Sequence, residues 1–286
     1  YEKCNKIFNE IKDFSMIPIL LTSIAKVYSE CYQHEKALSH YIEVLKLPEE
    51  QLTNQVKARA YLGIGEIYDY RHQFNDSLKY YIESLKAFKE INDISNLAMI
   101  YSRIALIYDD LGEFEKAIEN YELSLRLDKQ LGRKEMYAAT LSNLAAVCDE
   151  IGQRSRSLKY YKQSLVIDKE LNNLEGLYKT FSRIGTIYSE INRTDKALIY
   201  YKQELKIAKT VKDPYWIAMA YLDLGDLHYF MNDFVRAAKY FFISQKVISK
   251  SISTDSREKI ERRIRTLLDH IPKEKLDEIK QQVLNK

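Results

Sequence analysis

One motif returns every 40 residues along this chain. Ile24-Ala25-x-x-Tyr28 recurs as Ile64-Gly65-x-x-Tyr68, Ile104-Ala105-x-x-Tyr108, Leu144-Ala145-x-x-Cys148, Ile184-Gly185-x-x-Tyr188 and Leu224-Gly225-x-x-His228, without an insertion. A second small slot keeps the same register at Ala37, Ser77, Ala117, Ser157, Ala197 and Ala237. An aromatic slot follows at Tyr41, Tyr81, Tyr121, Tyr161, Tyr201 and Phe241. Self-similarity at a period of this size is the mark of a repeat architecture, in which each unit buries its apolar face only by stacking on its neighbours.

The unit is helical. Ile104, Ile107, Tyr108 and Leu111 fall at i, i+3, i+4 and i+7, the spacing of one face of an α-helix. The invariantly small slots let two helix backbones approach, and the aromatic slot fills the space where the pair opens. Gly112, Gly152, Asn192 and Asn232 share one position after the first helix of their units, and both residue types tolerate the left-handed conformation of a helix C-cap. Asp213-Pro214 reads as an N-cap followed by Pro at the first helical residue. With 8 Gly and 4 Pro in 286 residues, little else can interrupt helices.

This pattern resembles the tetratricopeptide repeat over roughly residues 18–257. That family's usual period is about 34 residues, and a period of 40 also suits HEAT or armadillo units. The two small slots at fixed offset favour the tetratricopeptide reading, with helices lengthened by the extra residues. Long-period variants of this kind resemble those in cell-polarity adaptors and in bacterial peptide-sensing regulators. The resemblance implies an all-α fold, an α-solenoid of helical hairpins in a right-handed superhelix. Six repeats occupy residues 18–257. Residues 1–17 are expected to be the second helix of a truncated preceding repeat, because Tyr1 falls in the aromatic slot 40 residues before Tyr41. Residues 258–286 carry two apolar stripes (Ile260, Ile264, Leu267, Leu268 and Ile271, then Leu276, Ile279 and Val283) and read as degenerate capping helices or as a connector into a further domain.

Catalytic chemistry finds no footing. Gly63 and Gly65 lie mid-helix with no strand before them and no third glycine, so they are packing residues and not a phosphate loop. The five histidines lack ligand spacing. His228 and Cys148 occupy the slot that holds Tyr elsewhere and are expected to be packed substitutes. The three cysteines are an odd number without a CxxC pair, which indicates neither a disulfide framework nor a metal knuckle and fits a cytoplasmic location. A net charge of +3 from 44 basic and 41 acidic residues implies no bulk attraction to nucleic acid or an anionic membrane. The chain is therefore expected not to be an enzyme and to need no cofactor and no metal.

Function must then lie on a surface. In the tetratricopeptide family the first helices line the groove, and the resemblance places Arg103, Asn143 and Arg183 on three consecutive units there, suited to a peptide's carbonyls and carboxylates. Two helical turns on come Asp109, Asp110, Asp149, Glu150 and Glu190, an acidic edge that ends at Tyr229 and Phe230. The lysines of the second helices are expected to solvate the opposite face. The expected function is a protein-interaction module that binds a partner peptide in this groove. The alternative is the ligand-sensing part of a larger signalling protein. A protein or peptide partner is expected, with self-association through the truncated N-terminal end a further expectation.

Overall fold

The computed structural model describes residues 16–248 and 254–285, and the expected helix within residues 1–17 lies almost wholly outside them, as does the apolar end proposed for self-association. Among the described residues the chain is helical throughout, with no strand. In order the helices are α1 (Ile17–Glu30), α2 (His34–Leu45), α3 (Asn54–Tyr70), α4 (Phe74–Glu90), α5 (Ile94–Asp110), α6 (Phe114–Gln130), α7 (Lys134–Glu150), α8 (Arg154–Glu170), α9 (Leu174–Glu190), α10 (Thr194–Val211), α11 (Pro214–Phe230), α12 (Phe234–Val247), α13 (Thr254–Thr266) and α14 (Lys273–Leu284). Two compact units meet within α7, at Val147 and Cys148. In the first, α1 pairs with α2, α3 with α4 and α5 with α6. In the second, α9 pairs with α10 and α11 with α12.

Most helices are 17 residues long and most turns have the same form. A residue in the left-handed region follows each first helix, at Tyr32, His72, Gly112, Gly152, Asn192 and Asn232, with φ between 56° and 76°. The same conformation recurs after second helices at Asn92, Gly132, Asn172 and Lys212. At Gly112 the backbone N–H groups of Gly112 and Glu113 donate to the carbonyls of Asp109 and Tyr108 at 2.9 and 2.8 Å, a Schellman closure that satisfies carbonyls the helix leaves orphaned. The expected cap at α11 is present: Asp213 accepts from the Trp216 N–H at 2.9 Å and Pro214 opens the helix.

The first repeat departs from this regularity. Its second helix has 12 residues, because Pro48 brings no N–H and disfavours a helical Leu47. A short 3-10 turn at Glu49–Gln51 and a Thr53 cap then lead into α3. Leu52 has φ of −104°, so the left-handed turn found 40 residues on is missing here.

Inside each hairpin the small and aromatic slots meet. A Cβ added at Gly65, Gly185 or Gly225 would lie 2.6, 2.6 or 2.3 Å from the ring of Tyr81, Tyr201 or Phe241 respectively. Those rings are buried. A further slot escaped the sequence analysis. Ser84, Ser124 and Ser244 are fully buried, and each hydroxyl donates across its hairpin to a carbonyl 26 residues earlier, at Ala58, Ala98 and Ala218, over 2.6–2.9 Å. Ser164 occupies the same slot. Glu204 does too, and there the residue 26 positions earlier is Tyr178 and not alanine.

At the C-terminal end, α13 and α14 close the second unit. Ile260, Leu267, Ile271, Leu276 and Ile279 join Leu222, Phe241 and Phe242 in one buried cluster, while Leu268 points to solvent at 54% exposure. Both apolar stripes thus contribute to the core of the second unit.

Candidate peptide-binding groove

In the first unit the N-terminal halves of α1, α3 and α5 wall an open hollow of about 550 Å³. Ile19, Thr22 and Ser23 line it from α1, Val56, Arg59, Leu62 and Gly63 from α3, and Asn96 and Met99 from α5. Gly63 is needed here for space. The Tyr41 ring crosses it so closely that a Cβ would lie 2.2 Å from Cζ. Thus a second-helix aromatic reaches the floor of a first-helix groove.

The charges along this groove are interleaved. Burial raises the Glu66 carboxyl above its ordinary range, and the nearby charges of Arg103 and Lys26 oppose that rise. Asp69 behaves alike: burial raises it, Arg103 opposes, and the Tyr81 hydroxyl donates to it at 3.4 Å. A second hollow of about 400 Å³ lies beside them, lined by Ser29, His34, Glu66, Asp69, Tyr70 and Arg103. The His34 and Tyr70 rings meet there at 4.4 Å.

The second unit repeats this relation. Asp149 is raised by burial first and by Glu190, and Arg183 and Arg154 oppose the shift. The charges of Arg103 and Arg183 therefore each act on the aspartate 34 residues earlier, on the preceding first helix. The arginine row and the acidic row expected to be two turns apart are coupled across neighbouring helices. Glu190 is further engaged by Arg154 at 3.0 Å, an exposed pair. Exposed ion pairs of this kind contribute about 0.2–1 kcal/mol each, so they mostly fix side-chain placement.

The remaining expected residues divide. Asp110 and Glu150 are exposed, Asp109 and Asn143 are partly covered, and Phe230 is 53% exposed. Tyr229 is engaged by the C-terminal cap. Its hydroxyl is hydrogen-bonded to His270 Nε2 at 2.8 Å, and that imidazole stacks on Phe234 at 4.1 Å. His228 is a packed substitute as expected, 4% exposed, with its ring 5.4 Å from Tyr240 and its pKa lowered by burial. Cys148 is fully buried. Among the described residues no group of three or more His, Cys, Asp or Glu side chains could hold a metal ion, and no helix is long and apolar enough to cross a membrane.

Models of the tetratricopeptide repeat match residues 96–170 and 180–215. No curated relative matches the sequence. Solved structures share the fold. The apo quorum sensor NprR of B. thuringiensis is 18% identical with a TM-score of 0.69, over 93% of this chain and 75% of that one. A signal-transduction ATPase with a tetratricopeptide repeat sensor from Pyrococcus horikoshii is 17% identical with a TM-score of 0.69, over 99% of this chain and 41% of that one. A Rap protein complexed with competence and sporulation factor is 18% identical with a TM-score of 0.56, over 96% of this chain and 81% of that one. Small slots, aromatic slots and hairpin pairing agree with both family matches: residues 96–170 and 180–215 are tetratricopeptide repeats, and the chain around them shares their fold.

Proposed function

We propose that this protein binds a peptide or an extended segment of another protein along its first helices. The observation that carries the reading is the hollow of about 550 Å³ in the first unit, where apolar Val56, Leu62 and Met99 alternate with Lys26, Arg59 and Glu66. An open trough with an apolar floor and convergent charges suits a chain that offers both side chains and carbonyls. The fold it shares with a quorum sensor and with a Rap protein complexed with competence and sporulation factor supports the same class of ligand. Arg103, Asn143 and Arg183, with Asp109, Asp110, Asp149, Glu150 and Glu190, form the polar part of the proposed surface and govern specificity and association rate more than affinity.

The test is selection of a random peptide library on the intact chain, followed by titration calorimetry of the selected peptides. Met99→Glu with Arg59→Glu should reduce affinity at least about tenfold with the helical content unchanged. Lys159→Glu, on the second-helix face, should have no effect. Peptides that bind the Met99→Glu/Arg59→Glu variant as well as the parent would sink the groove as the site.

A second reading is supported by one comparison. The sensor-bearing ATPase aligns with this chain over 41% of its own length, so an array of this size also occurs as the sensing part of a larger signalling protein. Sequencing outward from both ends of this chain distinguishes that reading from a free-standing adaptor.

A further inference from the structure

The buried serine slot is apolar at Val44 in the first repeat and becomes acidic once, at Glu204. Glu204 of α10 is fully buried where Ser84, Ser124, Ser164 and Ser244 stand in four of the other repeats. Neither of its carboxylate oxygens has a hydrogen-bond partner. Tyr178 and Ser182 of α9 and Asp223 of α11 are close enough to interact with them, yet none reaches hydrogen-bond geometry. Asp223 is partly exposed, in the groove row that carries Arg103 and Arg183 elsewhere, and accepts from the Ser182 hydroxyl at 3.1 Å. Tyr178 has swung its ring onto Trp216, stacked at 4.5 Å, with its hydroxyl on the Trp216 carbonyl at 3.3 Å. The serine–alanine pair has thus been exchanged at both positions, for an acid and for an aromatic whose hydroxyl is bonded to the Trp216 carbonyl instead.

We propose that Asp223, with Glu204 directly beneath it, is a receptor for a single cationic group, and that in the groove-bound partner this group is a lysine or arginine side chain. The second clause rests on the groove reading above. The first does not. A buried carboxylate without partners is among the least favourable arrangements in a protein interior, and it is relieved by taking up a proton or, once ionised, by a cation brought to the adjacent surface. Asp226 is bound to Arg263 of α13 at 2.9 Å, and Lys259 of α13 is exposed, acting on both Asp223 and Asp226 through space. Asp223 is pushed up to about 6 by burial first, with Ser182 and Lys259 opposing. Glu204 is raised as well, by burial first and then by Asp223. Burial thus favours the protonated form of both carboxyls. A bound cation should drive protons off them.

The experiment uses argininamide, which carries the cationic groups without a peptide, and follows the carboxyl carbons of Glu204 and Asp223 by NMR on the full chain. Saturable shifts at both carbons are expected at neutral pH, weakening as the pH falls below about 6. Glu204→Ser restores the residue of four other repeats and keeps the fold, and it should weaken argininamide binding at least about tenfold. Absence of a saturable shift in the parent, or unchanged affinity in Glu204→Ser, overturns the receptor. Peptide selection reads the second clause. Peptides selected on the parent should carry Lys or Arg at one fixed position, and those selected on Glu204→Ser should not. Peptides that lack such a position overturn the assignment of the cation to the partner even if argininamide binds. A chain that captures no peptide overturns the groove reading and the second clause with it, and the argininamide titration still decides the receptor.

Discussion

Replacing Glu204 by serine should make the protein more stable, which is unusual for a substitution at a fully buried position. Three contributions set the size. The parent buries a carboxyl whose oxygens have no partner, a cost of about 1–3 kcal/mol. Serine in this slot donates to a carbonyl across the hairpin, as Ser244 does to Ala218, and a bond of that kind contributes about 0.5–1.5 kcal/mol. Against these, the shorter side chain leaves a void of a few tens of Å³, costing about 1 kcal/mol at ~24 cal/mol per Å³. The balance is a gain of roughly 1–3 kcal/mol at neutral pH. The pH dependence gives a sharper check. Because the folded-state pKa of Glu204 is raised above its ordinary 4.5, its favourable contribution is fully present below that value and is lost as the pH rises through the folded-state pKa. Asp223, raised from 3.8 to about 6, behaves in the same sense, and at 1.36 kcal/mol per unit its rise corresponds to about 3 kcal/mol shared with Glu204. The advantage of Glu204→Ser should therefore be near zero at pH 4 and grow towards pH 7, read as urea midpoints by circular dichroism across that range. A variant that is no more stable than the parent at neutral pH, or whose advantage does not change with pH, would refute the reasoning.

Two other substitutions test the packing and the turns. Lys212 holds a left-handed conformation at φ 61°, so Lys212→Gly should raise stability by about 1 kcal/mol, measured by chemical denaturation, and a loss would show that the lysine stem packs there. Gly225→Ala should cost about 1–3 kcal/mol because its Cβ would meet the Phe241 ring at 2.3 Å, whereas Gly112→Ala meets open space and suffers only its positive φ; equal losses at the two sites would contradict the hairpin geometry.

The repeat, the hairpins and the caps were legible because they rest on residue types with one dominant physical use. A slot that accepts only Gly, Ala or Ser reports close backbone approach, and Gly112 or Asn192 reports a left-handed turn. The same turn was invisible at Tyr32, His72 and Lys212, whose side chains give no hint of positive φ, since the surrounding helices impose it. The shortened α2 was signalled by Pro48 but is a tertiary accommodation, absorbed by a 3-10 turn that no periodicity marks. Groove residues were harder. The rows containing Arg103 and Asp110 are visible on a helical projection, but the coupling of Arg103 to Asp69 and of Arg183 to Asp149 depends on the offset between neighbouring helices. Tyr229 was read as groove surface because its partner His270 belongs to a segment without the repeat. Glu204 could have been found from sequence alone, by aligning the slot of Val44, Ser84, Ser124, Ser164 and Ser244 and asking which member carries a charge.

The uniform beat of the turns has a consequence for how such a chain can change length. From His72 to Asn232 a left-handed residue arrives every 20 positions, at 72, 92, 112, 132, 152, 172, 192, 212 and 232. Any cut and rejoining that removes 40 residues between equivalent turns, such as joining Asp93 to Lys134, recreates a junction the chain already contains. Loss or gain of a whole hairpin is thus locally silent: each surviving helix keeps a neighbour of the same kind and each turn keeps its backbone angles. A cut that is not a whole number of repeats puts an aromatic slot against a helix without its small partner. Such an array can lengthen or shorten the surface it offers in whole-hairpin steps, while partial steps are penalised at once by its own packing.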